Sequence, residues 1–139
     1  FVRNPWDRLY SAYKFLEKGG INLHDKNAYD MYLSEYKNFE DFVINGLSKE
    51  LILEIIHLTP QSEFICDKNN SVLVDFVGRY ETINDSILEL DNLINTKIEL
   101  EYHNVNKKKS YKEVYTEEMI LKVNEIYKAD IDIFGYNFR

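Results

Sequence analysis

Two arginines and a serine near the start of the chain are spaced to hold an anion. In Phe1-Val2-Arg3-Asn4-Pro5-Trp6-Asp7-Arg8-Leu9-Tyr10-Ser11-Ala12-Tyr13, Ser11 follows Arg3 by eight residues and Arg8 by three. A phosphate dianion is held well by a planar guanidinium, whose fork takes two oxygens at once. A serine hydroxyl adds a neutral donor. Asn4-Pro5 has the form of a helix start, with Asn as the cap and Pro at the first helical position, where its missing N–H costs nothing. The open N–H groups and partial positive charge of such a helix end would also favour an anion. Arg3, Asn4, Arg8 and Ser11 are therefore the candidate anion-binding residues. The same residues also support a plainer reading: surface ion pairs for the arginines, a simple cap, and a neutral helix position for Ser11.

Other chemistry-bearing residues are fewer. The Lys107-Lys108-Lys109 run could close over an anion, with Lys109 as the candidate contact, although three lysines in a row also describe a solvated loop. Cys66 is the single cysteine, so no intrachain disulfide and no cysteine-based zinc site is possible, and nothing near it suggests a lowered pKa. His24 and His103 read as surface residues. Trp6, Tyr10 and Tyr13 read as core rather than as a base-stacking platform.

The elements that must position these residues follow from caps and periodicity. Phe1-Val2-Arg3 reads as a strand end. The helix after Asn4-Pro5 carries Trp6, Leu9, Tyr10, Tyr13 and Leu16 on its apolar face and stops at Gly19-Gly20. Arg8, Ser11 and Phe15 share a different face. Residues 21 to 37 read as a loop with a short helix over Ala28–Tyr36. Asn38 caps a helix with Phe39, Phe42 and Val43, closed by Gly46, and Ser48 caps the next. Val72–Val77 is β-rich and reads as a buried strand. Thr82 or Asn84 starts an amphipathic helix through Ile94, and Thr116 starts a final helix with Ile120, Val123, Ile126 and Tyr127 facing inward. The apolar tail Ile131–Tyr136 is expected to dock.

Composition bounds the function. The chain has 139 residues, fits one domain over 1–139, and carries a formal net charge of −7, which argues against a broad nucleic-acid surface. Aromatic residues make up 14%, so the core should hold rings whose polar ends need partners. No apolar stretch approaches the roughly 20 residues of a membrane span, and no signal peptide is present, which suits a cytoplasmic location. The opening on Phe1 and a strand end gives the expectation of a fragment whose N-terminal part is missing.

The opening segment resembles the 3′-phosphate-binding motif of PAPS-dependent sulfotransferases, in particular the carbohydrate branch that includes heparan and chondroitin enzymes. Further patches are similar in order: His57-Leu58-Thr59-Pro60-Gln61, Asp75-Phe76-Val77-Gly78-Arg79-Tyr80-Glu81, His103-Asn104, Tyr111 with Tyr115 and Thr116, and Asp130 through Phe138. The resemblance implies an α/β, P-loop-like sulfotransferase fold. In this N-terminally truncated segment, the C-terminal part of the domain, that fold would be mostly helical with two short strands. It implies PAPS as sulfonate donor and PAP as product, with Arg3 and Ser11 on the 3′-phosphate and Asn4, Arg8 and Lys109 nearby. It further implies a hydroxyl acceptor, on a saccharide or another molecule. The family's Lys-containing loop for the 5′-phosphosulfate has no counterpart, since Gly19-Gly20 ends a helix instead of opening one. His57 is the nameable candidate for a catalytic base, the main base being expected upstream. A histidine at a helix C-terminus also suits the helix dipole without catalysis. Glu81 could orient a pocket group, or make a structural hydrogen bond or an ion pair with Arg79. Two other readings stay open: a P-loop kinase-like nucleotide-binding protein, and a non-catalytic helical interaction module.

Overall fold

The computed structural model describes residues 1–100 and 110–138. Its first helix, α1 (Pro5–Glu17), starts where the sequence predicts. Asn4 Oδ1 accepts from the Trp6 N–H (3.1 Å) and the Asp7 N–H (3.5 Å), and Pro5 occupies the first helical position. Gly19 and Gly20 end it at φ 90° and 63°, values that glycine reaches without a Cβ penalty. Their N–H groups donate to Leu16 O and Phe15 O.

That turn delivers α2 (Leu23–Tyr32), which begins five residues before the predicted Ala28. The reason is a capping box. Asn22 Oδ1 accepts from the Asp25 N–H, and Asp25 Oδ2 accepts from the Asn22 N–H. A Cβ on Gly20 would stand 2.1 Å from Asp25 Cβ, so this close approach admits only glycine.

Asn38 caps α3 (Phe39–Asp41) as predicted, and a π turn over Phe42–Gly46 continues it. The Ser48 hydroxyl accepts from the Leu51 N–H at the start of α4 (Leu51–Glu54). After α5 (Ser62–Ile65) the chain runs without regular structure to a 3₁₀ turn (Tyr80–Thr82), then α6 (Ile83–Ile94). A second 3₁₀ turn (Tyr111–Glu113) leads to α7 (Glu117–Ile126), capped by Thr116, and α8 (Lys128–Phe134), the docked tail.

The expectation of two short strands is not met among the described residues. Val2 bridges Arg79 in parallel, Cys66 bridges Val72 antiparallel, and both bridges are isolated. Val72, Leu73 and Val74 are 42%, 69% and 42% exposed, so the β-rich run is not buried and its pairing stops at the single bridge at Val72. β propensity becomes a strand only when a neighbouring ladder takes its backbone groups.

The core is gathered around α1. Trp6, Leu9, Tyr13 and Leu16 pack with Phe39, Phe42, Val43, Leu58, Met119 and Val123. Tyr13 stacks on Phe42 at 5.5 Å between centroids, and burial pushes its hydroxyl up to about 12. The polar ends of the rings find carbonyls, as the composition requires. The Tyr115 hydroxyl donates to Trp6 O (2.8 Å), the Tyr127 hydroxyl to Leu58 O (2.7 Å), and the Trp6 indole to Ile120 O (3.2 Å). No helix among the described residues is long and apolar enough to cross a membrane.

Candidate functional site

The outward face of α1 lines an open cleft of about 430 Å³ with the segment that follows α4. Its walls are Arg3, Arg8, Ser11, Ala12 and Phe15 on one side and Ile56 and His57 on the other. Four of the residues singled out in the sequence (Arg3, Arg8, Ser11 and His57) thus share one cavity. Lys109, with the rest of the Lys107–Lys109 run and His103-Asn104, lies outside the described residues.

Arg3 is held on every side. Its N–H donates to Gln61 Oε1 (2.7 Å), and its carbonyl accepts from Gln61 Nε2 (2.8 Å). The guanidinium donates through Nε to Asp7 Oδ2 (2.7 Å) and stacks over the Tyr80 ring at 4.3 Å. Gln61 is fixed in turn by Asp130, which is fully buried on α8. Asp130 accepts from the backbone N–H groups of Gln61 (2.7 Å) and Ser62 (2.8 Å), and from Gln61 Nε2 (3.3 Å).

Arg8 is placed differently. Among the described residues no carboxylate stands within 4 Å of its guanidinium and no side-chain hydrogen bond reaches it. Burial lowers its pKa, the neighbouring Arg3 charge lowers it further, and Asp130 and Tyr127 act in the opposite sense.

Asn4 stands apart from this cleft. It is 6% exposed and its side chain is occupied, capping α1 and donating to Asn137 O (2.9 Å). The first N–H groups of α1 are likewise used internally, so the expected helix-end contribution to anion binding is taken up by the cap. The Asn4 N–H donates to Glu81 Oε1 (2.5 Å), and Glu81 Oε2 accepts from the Tyr136 hydroxyl (3.1 Å). Glu81 therefore makes structural hydrogen bonds away from the cleft. Its suggested ion pair with Arg79 is absent among the described residues. Arg79 instead donates to Phe134 O (2.6 Å) and lies over the Tyr136 ring.

His57 sits just beyond α4 with Nε2 2.9 Å from Asp25 Oδ1, and its ring lies 5.0 Å from that of Phe15. Asp25 is 7% exposed. The Ile21 N–H bond, the largest influence, and the His57 bond hold its carboxyl below the usual carboxylate range. Cys66 is half-buried, and burial pushes its thiol up, away from reactivity.

Sequence reasoning missed Asp25, Gln61 and Asp130 as supports of the site. The patches around Gln61, Glu81 and Asp130 were noticed, but what joins them was not: Gln61 and Glu81 close on the Arg3-Asn4 backbone, and Asp130 secures Gln61. No match was found among curated proteins or among solved structures. The model described as the sulfotransferase family matches residues 1–137, and the chain belongs to that family.

Proposed function

We propose that the cleft along α1 grips the 3′-phosphate of PAPS and of its product PAP. The chain is then the nucleotide-holding part of a P-loop-like sulfotransferase that passes a sulfonate to an acceptor hydroxyl, on a carbohydrate. Arg8 carries the reading. A half-buried guanidinium near a second one, with no carboxylate in contact among the described residues, costs the fold free energy unless an anion is held between them. Arg3 arrives pre-set by Asp7, Tyr80 and the Gln61 clamp, which lowers the ordering cost of binding. Ser11 adds a hydroxyl on the same wall. A dianion with three oxygens fits that donor set better than a single carboxylate does.

Membership of the family supports sulfonyl transfer as the chemistry. In that reaction the acceptor oxygen bonds to sulfur as the bond from sulfur to the nucleotide's 5′-phosphate oxygen breaks. The residues of this cleft contribute by fixing the nucleotide in line. No residue of this sequence is assigned to the 5′-phosphosulfate. The choice of a carbohydrate acceptor rests on the motif resemblance.

The test is a calorimetric titration of PAP, with AMP as the control that lacks the 3′-phosphate. Tight PAP and weak AMP binding is expected. Arg3→Ala and Ser11→Ala should each lose about 1.5–3 kcal/mol of PAP affinity, the range for hydrogen bonds to charged groups. Equal affinity for PAP and AMP, or no loss in either variant, overturns the proposal.

A further inference from the structure

A base in sulfonate transfer must touch the acceptor hydroxyl. His57 instead shares its cleft with Arg3, Arg8 and Ser11, the groups that hold the phosphate in the function proposed above. We propose that His57 is a third cationic ligand of that phosphate, and that Asp25 is the positioning residue that makes it one. The inference rests on the phosphate-binding reading and adds a residue, a partner and a proton to it.

The argument begins with the glycine turn. Gly19 and Gly20 let α2 approach closely enough for Asp25 to receive the Ile21 and Asn22 N–H groups on Oδ2. Oδ1 is left for His57 Nε2 at 2.9 Å. Asp25 is a carboxylate at neutral pH, because its pKa is lowered by these bonds. An ionised carboxylate only accepts, so Nε2 must carry the proton. The tautomer is thereby fixed, and Nδ1 is the nitrogen left for a ligand.

A neutral imidazole would present a lone pair at Nδ1, which repels a phosphate oxygen. A second proton turns Nδ1 into a charged donor, and a phosphate on one side with Asp25 on the other stabilises that imidazolium. Binding therefore draws a proton from solvent onto His57. Among the described residues, the charged and titratable groups around the ring are Asp25 from α2, Arg3 and Arg8 across the cleft, and His24, Tyr32 and Glu54 along the adjoining groove. Because binding adds a proton to His57, PAP affinity should rise as pH falls from neutral, until the phosphate itself gains a proton.

The experiment is PAP titration at about pH 7 in buffers of differing ionisation enthalpy, on the wild-type chain, His57→Gln and Asp25→Asn. Wild type is expected to take up a proton on binding. His57→Gln should abolish that uptake relative to wild type and weaken PAP about tenfold. Asp25→Asn should reduce both effects while leaving His57 in place. AMP should take up no proton. A second measurement needs no variant. Long-range proton–nitrogen spectra of the wild-type His57 ring should show the Nε2-protonated tautomer alone and the imidazolium with PAP bound.

Wild-type proton uptake and affinity in His57→Gln, or an unchanged His57 spectrum at PAP saturation, overturns the inference while the phosphate site stands. Loss of sulfonate transfer from PAPS in His57→Gln with PAP affinity intact also overturns it, in favour of a base. Failure of the wild type to bind PAP removes the underlying site instead.

Discussion

Arg8 is the residue at which stability and binding pull apart. Its guanidinium is half-buried near Arg3, without a carboxylate in contact among the described residues, so it is a charge that the fold does not need. Replacing it with Met keeps most of the side-chain volume and removes the buried charge. Arg8→Met should raise stability by about 1 kcal/mol, a few degrees in Tm, and weaken PAP tenfold or more. Thermal melts with and without PAP check both halves. A lower Tm in the variant would mean that Arg8 is a structural residue. Arg3, Arg8 and Ser11 were legible in the sequence because they lie close together along the chain, Arg3 just before the cap of α1 and Arg8 and Ser11 three residues apart on one face of it. Asp25 was not, since its bond to His57 spans 32 positions and depends on two left-handed glycines. No local pattern encodes that meeting.

At the level of elements, α1 is aimed by contacts from distant parts of the chain. Gln61 clamps the Arg3 backbone, Glu81 takes the Asn4 N–H, and Asp130 on α8 secures Gln61. Asp130→Ala leaves two buried backbone N–H groups without acceptors, at about 1–3 kcal/mol each. Denaturant unfolding should show that loss. Gln61→Ala, which frees only the part-buried Arg3 N–H and carbonyl, should weaken PAP and cost less in unfolding than Asp130→Ala. If Gln61→Ala binds PAP normally, the clamp is unrelated to the cleft. The capping box of α2 adds a pH dependence. Asp25 has a folded pKa below its unfolded one, so its stabilisation is complete above the unfolded value of about 3.9 and is lost as pH falls through the folded value. The stability difference between wild type and Asp25→Asn should therefore shrink on acidification below about pH 4. A constant difference would rule out ionised Asp25 as its source. The helix starts at Asn4, Asn38 and Thr116 were readable because a cap is a local hydrogen bond. The Val72–Val77 strand was misread because strand formation depends on a partner ladder, which the residue types alone cannot supply.

For the molecule as a whole, the packing is uneven. The core around α1 is dense with rings, while Leu73, Leu88, Leu93 and Ile94 stay exposed over a stretch that the sequence marked as strand and amphipathic helix. Apolar side chains left in water contribute nothing to folding and favour self-association. A net charge of −7 opposes that association, and salt weakens the opposition. The chain should therefore self-associate more as ionic strength rises, and it should bind a hydrophobic dye in the native state. Combining Leu73→Ser, Leu88→Ser and Leu93→Ser should suppress both, with each substitution changing unfolding free energy by no more than about 0.5 kcal/mol, as expected for exposed positions. Light scattering across a salt series and urea unfolding of the triple variant read the two effects separately. A large loss of stability would show that these leucines are packed in solution. Unchanged scattering would assign the association to another surface.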